Sequence, residues 1–221
     1  MLNFLIVLLA AGLLAGLLYF EKRELFEPKL AVKSILSSLF IFTAVVQSHP
    51  ILPFYRLLLV AMIFCLAGDV LLALRGEKMF LYGLVSFLLG HLFYAGAFFH
   101  TAGFNRWTLI GLAISLSAGG GVFLWLRSHL GAMKIPVIFY ILVISGMVAG
   151  AGSLMAADEL KLSGRWLVFV GALNFYLSDV FVARQRFLKT EFVNRLIGLP
   201  LYYSGQFLLA FSIGLLRPIS I

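Results

Sequence analysis

The 221-residue chain is 62% hydrophobic and 12% charged, with a mean hydropathy of +1.07, which excludes a water-soluble globule and leaves an integral membrane protein. A formal net charge of +8 does not point to nucleic acid, because the cations are scattered at the ends of apolar runs and form no patch interleaved with exposed aromatics. The single cysteine, Cys65, lies in an apolar run; an intrachain disulfide and a cysteine zinc site are excluded, and it reads as a small buried hydrophobe.

A bilayer core of about 30 Å takes about 20 apolar residues of helix to cross. Spans of that kind are predicted at 2–20, 30–47, 52–74, 79–100, 107–127, 134–155, 164–184 and 194–216, an all-α bundle of eight transmembrane helices. The first has no basic segment before it, is long, and is followed by the charged cluster Glu21–Glu27, so it reads as a retained helix, not a cleaved signal. Connections are short and no Ser/Pro-rich linker interrupts them. One polytopic domain over 1–221 is expected, with no soluble catalytic domain beside it.

Loops after odd-numbered helices carry Lys22, Arg23, Lys29, Arg75, Lys78, Arg127, Lys134, Arg184, Arg186, Lys189 and Arg195. The opposite side carries Arg56, Arg106, Lys161, Arg165 and Arg217. Eleven cations against five predict that the odd loops are cytoplasmic and both termini extracytoplasmic. The compact loops lean toward a bacterial inner membrane.

Two aspartates break the apolar pattern: Asp69 in CLAGDVLLALR and Asp179 in FYLSDVFVARQR. A carboxylate in hydrocarbon costs about 3 kcal/mol even on insertion scales, so each is a candidate functional group. At about 1.5 Å per residue, Asp69 lies about 9 Å and Asp179 about 7.5 Å in from the nearest loop cation, with Lys33 at about 6 Å. His91, Tyr94, Asn174, Tyr202, Tyr203 and Gln206 fall deeper and Tyr140 shallower, as a polar pocket narrowing toward mid-bilayer would require. Asp69-Val70-Leu71-Leu72-Ala73 is echoed by Asp179-Val180-Phe181-Val182-Ala183, each after a small residue and on helices of like direction. A parallel four-plus-four helix repeat would produce this echo and face the carboxyls across a pseudo-axis.

The strings FCLAGDVLLAL, SFLLGHLFYAGAF, GALNFYLSDVFVARQRF and LPLYYSGQFLLAF, in this order on eight helices, resemble the lysoplasmalogenase family of membrane ether hydrolases, the YhhN-like proteins. One departure is visible: that family usually shows Lys-Pro in its second helix, and here Ser34 follows Lys33. The resemblance implies hydrolysis of the vinyl ether of a 1-alkenyl lysophospholipid to a fatty aldehyde and glycerophosphoethanolamine or glycerophosphocholine. A vinyl ether yields to acid, through protonation of its β-carbon and capture of the oxocarbenium ion by water. One protonated and one ionised carboxyl suit that chemistry, as in glycoside hydrolysis. Asp69 and Asp179 are therefore the expected catalytic pair, with Lys33, His91, Tyr94, Tyr140, Asn174, Tyr203 and Gln206 expected to bind substrate.

Plainer roles are available to several of these residues. Lys33 could snorkel to head groups, His91 could be a hydrogen-bonded core residue, the tyrosines could pack, and the aspartates could form a structural clasp. Four histidines are present, but His49, His100 and His129 fall near helix ends or in a loop, too dispersed for a zinc site with His91, so no metal or cofactor is expected. The alternative function is a proton- or cation-coupled transporter using the same aspartates; against it, no helix shows paired Gly/Pro interruptions. The expected partners are a lysophospholipid and the bilayer. Oligomeric state, head-group preference and the division of labour between the two acids stay open.

Overall fold

The computed structural model describes residues 1–219, and the helices follow the hydropathy closely: α1 (Leu2–Lys22), α2 (Phe26–Val46), α3 (Leu52–Ala73), α4 (Glu77–Ala102), α5 (Arg106–Leu126), α6 (Lys134–Ser153), α7 (Leu162–Phe187) and α8 (Phe192–Leu215). All eight are long and apolar enough to cross a membrane. Short 3₁₀ turns, Gly131–Met133 and Leu154–Ala156, flank α6. The only strand-like pairing among the described residues is one bridge between Leu160 and Pro218. The protein is an all-helical, multi-pass membrane protein.

Helix ends differ from the expected spans by a few residues because hydropathy locates hydrocarbon and not caps. Thus α2 starts at Phe26, with Pro28 in its first turn, where a missing N–H costs nothing. Similarly, α7 continues past Arg184 to Phe187, carrying Arg184 and Arg186 in a final turn that favours cations. In α8, Pro200 lies inside the helix, so the Leu196 carbonyl lacks its usual donor one turn before Tyr202 and Tyr203.

Two antiparallel hairpins, α3–α4 and α7–α8, have the most extensive packing in the bundle. Lipid tails are as apolar as leucine, so small residues that admit close backbone approach decide such contacts. A Cβ on Gly90 of α4 would stand 3.1 Å from the Ala61 carbonyl oxygen, and one on Gly205 of α8 only 2.8 Å from that of Gly171. The α5–α6 pair packs on α4 through α6, and α2 bridges α3 and α8. Helix α1 packs mainly on α2 and α8 and leaves most of its apolar surface exposed. On the even-loop side, Asn105 caps α5 by accepting from the Trp107 N–H at 2.9 Å and donates to the Ser153 carbonyl at 2.9 Å, tying α5 to the end of α6.

Candidate active site

Asp69 is 1% exposed on the inner face of α3. Lys33 and Ser37, one turn apart on α2 and therefore on one face, both reach it. Lys33 Nζ lies 3.1 Å from Oδ1, and the Ser37 hydroxyl donates to Oδ2 at 2.6 Å. From α8 the Tyr202 hydroxyl donates to the same Oδ2 at 2.6 Å, and the Tyr203 hydroxyl stands 3.4 Å from Ser37 Oγ. A cation and two hydroxyl donors satisfy both oxygens, so this environment is built for an ionised carboxylate.

Asp179 on α7 is surrounded differently. The Tyr140 hydroxyl of α6 donates to its Oδ2 at 2.7 Å, and His91 Nε2 of α4 lies 3.9 Å from that atom, beyond hydrogen-bond reach. Its Oδ1 has no hydrogen bond among the described residues, and the side chain keeps 19% exposure. His91 itself is fully buried, edge-on to Tyr140 and to Phe175 at centroid distances of 5.3 and 4.5 Å. Neither of its ring nitrogens has a hydrogen-bond partner among the described residues. Nearby, the Tyr94 hydroxyl donates to Gln206 Oε1 at 2.6 Å while Gln206 Nε2 is buried without an acceptor. Buried polar atoms in native interiors are almost always paired, and these three, with Ser145 Oγ and Arg165 Nε, are the exceptions among the described residues.

Both carboxyls line one cleft whose walls come from α2 to α8 and not from α1. It is a narrow slot with a cavity volume of about 110 Å³. Apart from the polar end, its lining is aliphatic and aromatic, from Leu84 and Phe87 through Val122 and Ile144 to Phe181 and Leu199. Phe175 forms the partition at the inner end, its ring against Phe87, His91, Tyr94 and Tyr202. The mouth lies toward the odd-numbered loops, where Phe80 stacks edge-on with Phe187 at 6.0 Å and Arg186 lies 4.5 Å over the Phe80 ring.

Of the residues expected at the site, Lys33, Asp69, Tyr140 and Asp179 line this cleft, and His91 stands directly behind Asp179. Tyr94 and Gln206 form a buried pair next to Phe175, and Tyr203 lies behind Ser37. Asn174 is not brought to the cleft; its amide donates to Ser204 Oγ at 3.1 Å on an exposed flank of the α7–α8 hairpin. Ser37 joins the site without having been foreseen, though its i+4 spacing from Lys33 was a usable signal. Tyr202, read only as a polar residue at depth, touches Asp69 directly. Among the described residues no three His, Cys, Asp or Glu side chains converge as metal ligands would.

Sequence comparison adds relatives to this geometry. Proteins named lysoplasmalogenase from Mycobacterium bovis and Mycobacterium tuberculosis are each 32% identical to the chain over 170 residues, covering 74% of it and 61% of the relative. The human protein named lysoplasmalogenase TMEM86A is 30% identical over 159 residues, covering 69% of the chain and 63% of the relative. The matched region thus spans about three fifths of the length of these curated relatives. No solved structure matches the chain. The profile of the YhhN family matches residues 29–213, which takes in Lys33, both aspartates and the helices that line the cleft, and the chain belongs to the YhhN family.

Proposed function

We propose that this protein is a lysoplasmalogenase that hydrolyses the vinyl ether of a 1-alkenyl lysophospholipid by acid catalysis, with Asp179 as the acid and Asp69 as the fixed anion. The observation that carries the reading is the unequal setting of two carboxyls in one apolar cleft. Asp69 has a lysine and two hydroxyl donors; Asp179, which lines the same cleft, has one tyrosine donor, a histidine beyond hydrogen-bond reach and a second oxygen with no hydrogen bond among the described residues. Paired carboxyls whose surroundings differ in this way divide acid and anionic roles. The relatives named lysoplasmalogenase support the same substrate class.

In this scheme the alkenyl chain lies along the slot with its ether oxygen near the two acids. Asp179 delivers its proton to the β-carbon of the double bond, and the positive charge that forms on the α-carbon and ether oxygen is stabilised by the Asp69 carboxylate. Water adds to that carbon and returns a proton to Asp179. The resulting hemiacetal loses its hydroxyl proton while the glycerol oxygen gains one and its C–O bond breaks, giving a fatty aldehyde and glycerophosphoethanolamine or glycerophosphocholine. One water is consumed, and no other reactant is needed. Lys33 pairs with Asp69 at 3.1 Å, and Tyr140 aims Asp179. The odd-numbered loops face the cytoplasm, so substrate reaches the mouth from the inner leaflet of the cytoplasmic membrane.

The test is incubation of purified protein in detergent with 1-alkenyl lysophosphatidylethanolamine and, separately, its 1-acyl analogue. Aldehyde from the alkenyl lipid alone is the expected result. An unchanged lipid, moved across a liposome membrane together with protons, would instead make the carboxyls ion-coupling groups of a transporter.

A further inference from the structure

Where the cleft opens, a second cavity of different character begins. It lies between the α1–α2 turn and the α7–α8 turn, with Glu21, Glu24, Lys29, Arg75 and Arg195 among its walls. Arg195 lines both spaces, so the polar vestibule and the apolar slot meet at its side chain. That guanidinium is held only loosely, its Nε 3.9 Å from Glu21 Oε2, and makes no hydrogen bond among the described residues. Lys29 shares the same carboxylate at 3.7 Å. Five planar donors at the mouth of an apolar slot, with so little to hold, form a receptor for an oxyanion.

The α7–α8 turn just ahead of Arg195 is knotted. Arg184 donates to Asn194 Oδ1 and, at 2.6 Å, to Glu191 Oε2, while Asn194 Nδ2 donates to Gln185 Oε1 and to the Lys189 carbonyl, each at 2.7 Å. Hydrogen bonds from Lys189 and Arg184 hold the Glu191 carboxyl below its ordinary range, so it stays ionised and keeps the knot closed. These pairings use up Arg184, Lys189 and Glu191 and leave Arg195, the next residue after Asn194, outside the network. Opposite it, the α1–α2 turn holds Glu24 at a φ of 54°. Of the three carboxylates in the vestibule wall, Glu24 alone has no ion pair among the described residues.

We infer that this vestibule is the binding site for a zwitterionic phosphodiester head group, the phosphate on Arg195 and the ammonium against Glu24. The inference rests on the lysolipid reading of the cleft and adds to it the part of the molecule that fixes the head group. It also gives the slot a register. A phosphate anchored at Arg195 allows one length of glycerol backbone before the ether, so the vestibule decides which bond reaches Asp179.

The experiment is equilibrium binding by titration calorimetry with the full chain in detergent. Its four ligands are a saturated 1-alkyl lysophosphatidylethanolamine, which has no vinyl ether to hydrolyse, 1-alkyl lysophosphatidic acid, 1-alkylglycerol, and glycerophosphoethanolamine. Losing a bidentate arginine–phosphate contact costs about tenfold or more. Arg195→Gln is therefore expected to weaken the alkyl lysophospholipid about tenfold while leaving 1-alkylglycerol unchanged, with Arg195→Lys intermediate because lysine lacks the planar fork. Glu24→Gln is expected to weaken the same lipid and not 1-alkyl lysophosphatidic acid, which has no ammonium. Arg195-dependent binding of glycerophosphoethanolamine as tight as that of the lipid would assign the same site to a free phosphodiester. Equal loss for 1-alkylglycerol in Arg195→Gln, or loss for neither ligand in a variant with unchanged thermal midpoint, overturns the inference. Because binding is read without turnover, a failure of aldehyde release with Arg195-dependent binding intact would sink the hydrolase and leave the site standing.

Discussion

At the scale of single residues, the two aspartates should answer differently to the same substitution. Asp179→Asn removes the proposed acid from a setting with no cation, so turnover should fall about 10²- to 10⁴-fold with the thermal midpoint in detergent nearly unchanged. Asp69→Asn should also abolish turnover, and in addition it strands the Lys33 ammonium, which is 7% exposed. Breaking a buried ion pair from one side costs about 3–5 kcal/mol, whereas removing both charges is often neutral. Lys33→Met is thus expected to lower the unfolding midpoint strongly, and Lys33→Met with Asp69→Asn to recover it without recovering activity. If the double variant is no more stable than Lys33→Met alone, the pair is not what holds α2 to α3. Tyr140→Phe deletes the hydrogen bond to Asp179 seen among the described residues and should slow turnover about tenfold, the value of one hydrogen bond, with KM little changed.

The helices themselves were legible in the sequence, and their rotation about their own axes was not. Hydropathy located all eight because about 20 apolar residues in a row have one reading. Which face turns inward is a different question, and in hydrocarbon both faces of a helix are apolar, so the periodicity that marks a buried face in a soluble protein is nearly absent. Asn174 shows the consequence. Its depth matched the other polar residues, but it faces Ser204 on an exposed flank, while Phe175, one position on, faces the site. Ser37 went unread for the converse reason, since a serine in a membrane helix usually satisfies itself on its own backbone, as Ser34 does on Leu30. The aspartates and Lys33 were legible because their cost in lipid demands a partner, and Lys33 and Asp69 did find one another.

Spacing along the chain bears on the repeat. Asp179 follows Asp69 by 110 residues, Gly198 and Gly205 follow Gly83 and Gly90 by 115, and Tyr140 follows Lys33 by 107. In each half the helix after the aspartate returns with two glycines seven apart, and the helix before it supplies the first partner of the carboxyl. A parallel duplication would leave these marks, with the cation of the first half replaced by a phenol in the second. Gly205→Ala should test how tightly the α7–α8 hairpin is closed. The new methyl would meet backbone at 2.8 and 3.2 Å, so a loss of about 1–3 kcal/mol is expected from thermal unfolding in detergent, against little change for Gly120→Ala, where nothing stands within 4 Å.

The molecule as a whole joins an apolar slot, two unlike carboxyls and a charged vestibule at the odd-loop end. The proposed orientation, with the odd-numbered loops inside, rests on the charge bias and is open to a direct check. Cys65 is buried and the only cysteine, so a Cys65→Ala background gives silent labelling. A cysteine at position 128 should react with a membrane-impermeant maleimide only after the inner face is exposed, and one at position 104 from outside; the reverse pattern would invert the topology. The central claim is proton delivery to carbon, and turnover in deuterium oxide reads it most directly. Aldehyde released from 1-alkenyl lysophosphatidylethanolamine and trapped at once by reduction should carry one deuterium at C2, with release lost in both Asp69→Asn and Asp179→Asn. Aldehyde without deuterium at C2, or full activity in either variant, would contradict acid catalysis by these two carboxyls.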